Sequence, residues 1–242
     1  MKIAIVGYGK MGRVLEQVIH ESDEHTAVVV GKEIDSDVYL ELLANCTDAD
    51  CVIDFSHISK MEDVLLFARE NTKPLVVCTT GLNENQEFSL QNSAKKIPIV
   101  YAQNMSVGIN VLLDVVRRVS AALGNNFDIE LIEKHHNLKE DAPSGTATML
   151  LSAIDGINEK TIVNGRKGFQ KRAKNEIGVH AVRGGTIVGE HSIIFAGNDE
   201  IIEIKHTALS KRIFAEGALR AACFIVKQKS GLYNMKDVLA VN

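Results

Sequence analysis

Residues 133–147 bring several chemically active side chains together in one short segment, EKHHNLKEDAPSGTA. The imidazoles of His135 and His136 can give or take protons near neutral pH, and Lys139 adds a positive charge. Ser144 begins a Ser-Gly-Thr turn where a helix should start, and the free N–H groups of a helix N-terminus favour an anion. A proton donor, a cation and an anion cradle together predict a site for a small carboxylated substrate.

Two other interpretations of this segment are weaker. An ordinary turn with two surface histidines and a common N-cap would also fit, but Pro143 and Gly145 fix the loop that gathers the active groups. A metal site is disfavoured, because adjacent histidines on an extended strand point to opposite faces and no third ligand is spaced to join them. We therefore predict no metal.

Short apolar runs alternate with amphipathic helices over the first hundred residues. The apolar runs are typical of strands buried on both faces, and they fall at 3–6, 27–30, 51–55, 75–78 and 97–101. Helices with one apolar face are predicted at 11–19, 61–68 and 84–94. This alternation predicts an α/β domain with a doubly wound parallel sheet.

The pattern changes after Gly108. Helices are predicted at 108–123, from Ser144 to about Asp155, and at about 213–227. Strands are predicted at 128–135, 180–183, 186–196 and 200–208. The last three strands follow one another without helices, which indicates a second, α+β domain with an open, mixed or antiparallel sheet. We predict that residues 1–105 and 213–242 form the first domain and 106–212 the second, which contains the predicted substrate-binding segment; the family resemblance described below adds oligomer formation to this second domain.

A glycine-rich turn joins the first strand to the first helix, which is the context in which GxGxxG indicates a Rossmann-type dinucleotide-binding domain. Gly7 permits the tight turn, Gly9 lets the backbone approach a pyrophosphate, and Gly12 lets the helix pack closely on the sheet. Lys10 and Met11 lie inside the turn, and the lysine adds charge for phosphate. We predict that all five residues contact the cofactor.

Other cofactor contacts are expected where the strands end, because ligands in such folds bind beyond the carboxyl ends of the strands. Glu33, after the second strand, suits a ribose hydroxyl, while the adjacent Lys32 suits a 2′-phosphate, so NADH and NADPH both stay open. The later strand ends contribute Phe55, Ser56, Cys78, Thr79, Thr80, Ala102, Gln103, Asn104 and Met105.

The composition excludes several classes of protein. A net charge of −4 over 242 residues gives no general affinity for nucleic acid or an anionic membrane, and no segment approaches a membrane span. Four cysteines without disulfide spacing are typical of reduced thiols, which predicts a cytoplasmic protein. The basic segment 160–174 is either a solvated loop or a stretch that attracts an anionic ligand.

Seven motifs spread over nearly the whole chain belong to one pattern. They are GYGKMG at 7–12, VIDFS at 52–56, TTG at 79–81, AQNMSVGINV at 102–111, IEKHHNLKEDAPSGTA at 132–147, RGGTIVGEH at 183–191 and SGLYNMKDVL at 230–239. This set resembles the 4-hydroxy-tetrahydrodipicolinate reductase family, also called dihydrodipicolinate reductase. The histidine–lysine–Ser-Gly-Thr segment is highly specific to that family, whereas GxGxxG alone is not.

The resemblance implies an oxidoreductase of diaminopimelate and lysine biosynthesis. Hydride would pass from NADH or NADPH to a cyclic conjugated imine formed from 4-hydroxy-tetrahydrodipicolinate with loss of water. His135 would be the general acid and Lys139 would assist proton transfer. The carboxylates of the substrate would be bound by His136, Lys139, Ser144, Gly145, Thr146 and Lys211. The family is typically a homotetramer built through the open sheets of its second domains.

Two alternatives to this function remain. Another two-domain nicotinamide dehydrogenase, acting on an amino acid, would share the first domain but need its own catalytic residues. A nucleotide-sensing regulator without enzymatic activity would predict loss of the catalytic segment. His135, Lys139 and Thr146 are all present in this chain, which favours the reductase.

Overall fold

The structure, a computed structural model, describes residues 1–31, 43–154 and 156–240. The chain divides into two compact units. Unit 1 comprises Met1–Val107 and Lys211–Asn242, and unit 2 comprises Gly108–Ser210. The sequence predicts the boundaries at 105/106 and 212/213, and the structure places them at 107/108 and 210/211.

Strands and helices alternate over most of unit 1, whereas strands predominate in unit 2. The strands are β1 (Lys2–Val6), β2 (Thr26–Val30), β3 (Cys51–Asp54), β4 (Leu75–Val77), β5 (Pro98–Tyr101), β6 (Asp128–His135), β7 (Thr161–Asn164), β8 (Glu176–Arg183), β9 (Gly189–Ala196), β10 (Ile201–Ala208) and β11 (Gly231–Tyr233). The helices are α1 (Lys10–His20), α2 (Met61–Glu70), α3 (Glu84–Ala94), α4 (Val107–Leu123), α5 (Gly145–Ser152), α6 (Arg212–Ile225) and α7 (Met235–Ala240). Short 3-10 turns lie at Ile58–Lys60, Gly124–Asn126 and Ile157–Glu159.

Unit 1 contains one parallel sheet with the strand order β11-β5-β4-β3-β1-β2. Successive side chains of a strand point to opposite faces, so each buried strand supplies both layers of the core. Ala4 and Val6 of β1 pack in the layer that contains α2 and α3, and Ile3 and Ile5 pack in the layer that contains α1, α6 and α7. The predicted doubly wound parallel sheet is confirmed.

Two elements near the end of the chain are absent from the prediction. β11 pairs in parallel with β5 and widens the sheet, and α7 packs in the core layer that also contains α1 and α6. The three residues of β11 are too few for a recognisable alternation of apolar and polar side chains.

The preceding helix, α6, lies so close to the chain at Met105 that a β-carbon on Gly217 would be 1.8 Å from the carbonyl oxygen of Met105.

Unit 2 contains a mixed sheet with the strand order β10-β9-β6-β8-β7. β10 and β6 are antiparallel to β9, whereas β6–β8 and β8–β7 are parallel pairs. The predicted open, mixed or antiparallel sheet is therefore confirmed in its mixed form. The chain between β6 and β8 passes through α5, and such a crossover allows the two strands to run in the same direction.

The core of unit 2 lies between this sheet and the helices α4 and α5. Leu131, Ile193 and Phe195 of the sheet pack with Val116 of α4 and Leu150 of α5. Within the described residues, no helix is long and apolar enough to cross a membrane.

Candidate functional site

The glycine-rich turn after β1 leaves space at one position only. Gly7 has a φ of +90°, and a β-carbon there would lie 2.6 Å from the backbone of Ser56. At Gly12 it would lie 2.1 Å from the carbonyl oxygen of Gly7, but at Gly9 nothing lies within 4 Å. Gly9 is also the N-cap of α1 and makes no side-chain capping hydrogen bond. The turn therefore presents an open helix N-terminus, which favours an anionic group.

A cavity of about 600 Å³ lies beside this turn, within unit 1. The ends of β3, β4 and β5 face it, as expected for a ligand site at the carboxyl edge of a parallel sheet. It is lined by Gly9, Lys10, Met11, Phe55, Ser56, Cys78, Thr79, Thr80, Ala102, Gln103, Asn104, Met105, Lys211 and Phe214. The structure therefore brings most of the proposed cofactor residues together around one space.

Among the described residues, the cavity lining differs at a few positions from the predicted set of cofactor contacts. Gly7 and Gly12 do not line the cavity. Both pack closely against neighbouring backbone, which leaves no room for a side chain. Lys32 and Glu33 lie outside the described residues. Phe214, on the first turn of α6, was not predicted as a cofactor contact, because its neighbours at the end of β5 are distant in sequence.

A buried carboxylate supports the cavity wall. Asp54, at the end of β3, accepts hydrogen bonds of 2.9 Å from the Ser56 N–H and of 2.9 Å from the Thr79 hydroxyl. Burial raises the pKa of Asp54, and the bonds from Ser56 and Thr79 act in the opposite direction. Asp54 thereby joins two strand ends at the cavity.

In unit 2, β6 carries the histidine of the active segment to a buried position. Side chains alternate along the strand, so Leu131, Glu133 and His135 share the buried face, while His136 follows on the other side. Glu133 is fully buried and His135 is 9% exposed. The Nδ1 atom of His135 lies 2.6 Å from Oε2 of Glu133.

The charges around His135 set its resting state. Burial raises the pKa of Glu133, but hydrogen bonds from Arg183 and His135 outweigh it, so the net pKa is lowered and the carboxylate is ionised. Burial lowers the pKa of His135, although its hydrogen bond with Glu133 acts against this. An ionised carboxylate can only accept, so a neutral His135 carries its proton on Nδ1.

The Ser-Gly-Thr turn begins α5 as predicted. Ser144 is the N-cap, and its hydroxyl oxygen accepts a 3.1 Å hydrogen bond from the Ala147 N–H. A β-carbon on Gly145 would have no atom within 4 Å, and Gly145 does not have a positive φ. The packing of the chain therefore does not require glycine at this position, and the free space adjoins the helix N-terminus.

Lys139 is held by an acid of its own loop. Its Nζ atom lies 2.6 Å from Oδ1 of Asp141, and this contact lowers the pKa of Asp141. The charge of Lys139 also contributes to the lowered pKa of His135. Lys139, the predicted cation, is thus near the proton donor His135 but paired with Asp141.

His136 has a buried Nδ1 atom with no hydrogen-bond partner among the described residues.

His191, on β9, is a site residue that the sequence did not single out. Its Nε2 atom lies 3.0 Å from the Ser144 hydroxyl oxygen, and its ring meets the His135 ring edge-on, with centroids 5.1 Å apart. Its place within the RGGTIVGEH motif was the available signal. His191 therefore contacts the N-cap residue of α5.

Acid should destabilise the protein through His191. Burial lowers its pKa from 6.5 to about 4, so the unfolded chain binds more protons than the folded one between these values. The free energy of unfolding should therefore fall as the pH drops through this window, by up to roughly 3 kcal/mol at pH 4. Chemical denaturation at pH 7, 5.5 and 4 measures this loss.

His191→Asn keeps an acceptor for Ser144 and removes the titrating group, so its stability should depend less steeply on pH. The same substitution at the exposed His20 is the control. An unchanged slope in His191→Asn would contradict the assignment.

The basic segment 160–174 contributes structural ion pairs and includes β7. Arg172 contacts Asp128 and Glu130, and Arg166 pairs with Glu176. These two arginines therefore neutralise acids of unit 2, which argues against a role for them in attracting a ligand.

Comparisons with known proteins cover almost the whole chain. A family model described as "Dihydrodipicolinate reductase, N-terminus" matches residues 1–105, and one described as "Dihydrodipicolinate reductase, C-terminus" matches residues 108–239. The 4-hydroxy-tetrahydrodipicolinate reductase of Clostridium novyi is 46% identical over 239 residues, which is 96% of this chain and 94% of that protein. The enzyme of the same name from Brachyspira hyodysenteriae is 43% identical over 247 residues, covering 99% of this chain and all (100%) of that protein.

A solved structure supports the fold. The dipicolinate-bound dihydrodipicolinate reductase from Paenisporosarcina sp. TG-14 has a TM-score of 0.78 and 21% sequence identity, and covers 98% of each chain. At this level of identity the match shows that the two chains share a fold.

Proposed function

The chain belongs to the dihydrodipicolinate reductase family, and we propose that it reduces 4-hydroxy-tetrahydrodipicolinate to tetrahydrodipicolinate with NADH or NADPH, in diaminopimelate and lysine biosynthesis. The observation that carries the proposal is the hydrogen-bonded assembly in unit 2. One buried carboxylate, Glu133, binds both the ring of His135 and the backbone N–H of Ser144. A proton donor and an anion-binding helix N-terminus are thereby fixed side by side.

The residues of unit 2 have separate roles in this proposal. His135 gives a proton from Nε2 to the conjugated ring of the substrate. Ser144, Gly145 and Thr146 bind one carboxylate through the N-terminus of α5, which suits a negative charge. His136 and Lys139 bind substrate carboxylate by charge-assisted hydrogen bonds. In this step the substrate carboxylate takes the place of Asp141 beside Lys139.

Lys211 is the remaining proposed substrate residue. It lies in unit 1, just before α6, and lines the same cavity as the cofactor residues. A lysine there gives a single point contact to a carboxylate rather than the paired contact of an arginine.

The cavity of unit 1 fits a nicotinamide dinucleotide. Its volume of about 600 Å³, the open position at Gly9 and the uncapped N-terminus of α1 suit a pyrophosphate. When bound, the cofactor supplies the hydride. Gly9, Lys10 and Met11 would hold the phosphates, and the residues at the ends of β3, β4 and β5 would hold the rest.

The proton that the reaction consumes defines the role of His135. Addition of a hydride to the terminal carbon of a conjugated C=C–C=N system moves the electron pairs toward the imine nitrogen and leaves an enamine anion. The carbon next to the one that received the hydride then takes a proton, and the C=N bond re-forms. His135 supplies this proton and afterwards regains one from solvent. The side chain must therefore be within hydrogen-bond reach of the reacting carbon when the substrate is bound.

We further propose a cytoplasmic homotetramer assembled through the mixed sheets. β10 is an edge strand of its sheet in unit 2, and Ile201 at its start is 70% exposed. An edge strand is a surface on which a second chain can pair. The free thiols of Cys46, Cys51, Cys78 and Cys223 suit a reducing compartment.

The test of the proposed function is oxidation of NADH and NADPH in the presence of enzymatically generated substrate, followed by absorbance. Both cofactors should be consumed only when the substrate is present. Incubation of NAD⁺ or NADP⁺ with amino acids tests the alternative dehydrogenase and should give no reduction. No turnover with either reduced cofactor would overturn the proposal.

Gly9→Ala tests the proposed cofactor site with a substitution that the fold should tolerate. Its added methyl group meets no protein atom, so stability should be retained while the Kd for cofactor rises by about tenfold or more, since each 1.4 kcal/mol of lost binding is tenfold.

A further inference from the structure

We propose that Glu133 is a positioning residue that fixes the orientation and tautomer of His135, with Arg183 holding its carboxylate in place. This role deepens the proposed function and rests on His135 being the proton donor. Glu133 itself is fully buried, so its proposed role is exerted through His135 and not by direct contact with the substrate.

The carboxylate of Glu133 has all of its acceptor positions occupied from different elements. Oε2 contacts the Nδ1 atom of His135 at 2.6 Å and accepts from Arg183 at 2.8 Å. Oε1 accepts from Arg183 at 2.7 Å and from the Ser144 N–H at 3.1 Å. The carboxylate of Glu133 thereby connects β6, β8 and the cap of α5. Its negative charge is balanced by the bidentate hydrogen bonds from Arg183.

Arg183 makes this arrangement stable in a buried place. An isolated carboxylate in the protein interior would take up a proton rather than remain charged. The guanidinium of Arg183 binds both oxygens of Glu133 and also donates a 2.6 Å hydrogen bond to the carbonyl of Asp141. The same side chain therefore keeps Glu133 ionised and fastens the loop that carries Lys139.

The orientation of His135 follows from this contact. Nδ1 must donate to the ionised Glu133, so Nε2 is the atom left for the substrate. Nε2 faces Gly189, where a β-carbon would lie only 3.2 Å away. The glycine therefore leaves room for the ring in the orientation that Glu133 imposes.

The same contact favours the protonated, acidic form of His135. The charged and titratable groups that face the ring are Glu133 on β6, Arg183 on β8, His191 on β9 and Lys139 in the loop. Among these described groups only Glu133 is negative. A proton that arrives on Nε2 produces a cation with two donors, one directed at Glu133 and one at the substrate, and Glu133 supplies the compensating charge.

A purely structural role for Glu133 makes a different prediction. As a clamp between strands it would affect folding and the amount of active enzyme, but not the pH at which turnover is lost. As a positioning residue it determines both the atom that carries the proton and the pKa of the acid. The pH profile and the imidazole nitrogen signals therefore separate the two roles.

The experiment compares the wild-type chain with Glu133→Gln. Glutamine has the same shape, but it lacks the charge and can present an N–H to Nδ1. We expect kcat to fall by roughly 10²-fold, the limb of the kcat profile that reports the acid to move to lower pH, and the KM for cofactor to stay within about twofold, since the cavity lies in unit 1. Nitrogen NMR with labelled histidine should show the proton of neutral His135 on Nδ1 in the wild type and on Nε2 in the variant.

Three further variants sharpen the comparison. Glu133→Asp keeps the charge and should restore part of kcat and the wild-type tautomer. Arg183→Lys keeps a positive charge but loses the bidentate contact with Glu133, so it should shift the same limb of the pH profile. This variant replaces Glu133→Gln in the test if Glu133→Gln does not fold. Glu130→Gln removes a carboxylate that lies on the same strand and binds His180 at 2.9 Å, and it should leave the pH profile and the signals of His135 unchanged.

An unchanged pH profile and unchanged tautomer in Glu133→Gln would overturn the inference, whatever the loss in kcat. The NMR measurement needs no substrate, so it is independent of the proposed function. A wild-type chain without reductase activity but with the Glu133-dependent tautomer would overturn the proposed function and support the role of Glu133.

Discussion

Replacing His135 by glutamine should lower kcat by roughly 10²-fold or more, the usual consequence of losing a general acid. Glutamine is close in size to histidine, and its amide can still donate to Glu133, so the fold of unit 2 should be preserved. Cofactor affinity should not change, because the cavity proposed for the cofactor is lined by residues of unit 1. Steady-state kinetics and a fluorescence titration with NADH or NADPH measure the two quantities separately.

His180→Gln is the control for this substitution. His180 lies on β8 and also binds a glutamate of β6, Glu130, but its ring is outside the proposed site. Its kcat should stay close to that of the wild type. Near-normal turnover in His135→Gln would rule out His135 as the acid, and a parallel loss of cofactor affinity would indicate a general disturbance of the protein.

The parallel sheet of unit 1 was predictable because its signals are local. Each strand is a continuous apolar run, and each following helix has one apolar face, so a few neighbouring residues suffice to define the element. The glycine-rich turn was recognisable for the same reason: Gly7, Gly9 and Gly12 are needed for backbone geometry within one turn. β11 was missed because Gly231–Tyr233 is short and acquires its role only by pairing with β5.

The candidate site in unit 2 was only half predictable. His135, Lys139 and Ser144 lie in one segment, and their chemistry can be inferred from their types and spacing. Arg183, however, binds Glu133 across a sequence separation of 50 residues, and His191 binds Ser144 across 47. These contacts depend on the parallel pairing of β6 with β8 and the antiparallel pairing of β6 with β9. The prediction of a mixed or antiparallel sheet did not specify which strands are neighbours.

The pairing of Lys139 with Asp141 was also not foreseen. The two residues lie in the same loop, but sequence alone does not say whether the lysine is directed at a ligand or at its neighbour. The structure gives a 2.6 Å contact between them. The lysine is therefore held in position by its own loop, and the negative charge that it meets there occupies the place proposed for a substrate carboxylate.

Gly145→Ala should have opposite effects on stability and on substrate binding. Gly145 has neither a positive φ nor a neighbouring atom within 4 Å of a β-carbon, and alanine favours a helix over glycine by up to about 1 kcal/mol. The free energy of unfolding should therefore stay the same or rise. The added methyl group would occupy the space through which a carboxylate reaches the N–H groups of α5.

The methyl group of Gly145→Ala should remove one charge-assisted hydrogen bond between the carboxylate and an N–H group of α5, worth about 1.5–3 kcal/mol. This loss corresponds to a decrease in affinity for the dicarboxylate of roughly 10- to 10²-fold. Calorimetric titration with pyridine-2,6-dicarboxylate, a planar dicarboxylate, measures this affinity, and chemical denaturation measures the stability. Ser152→Ala, at the other end of α5, also raises helix propensity but should leave the affinity unchanged. If Gly145→Ala bound the dicarboxylate as tightly as the wild type, the anion would have to bind elsewhere. If the variant were instead destabilised, glycine would be required by the fold, and the open space at Gly145 would no longer point to a ligand.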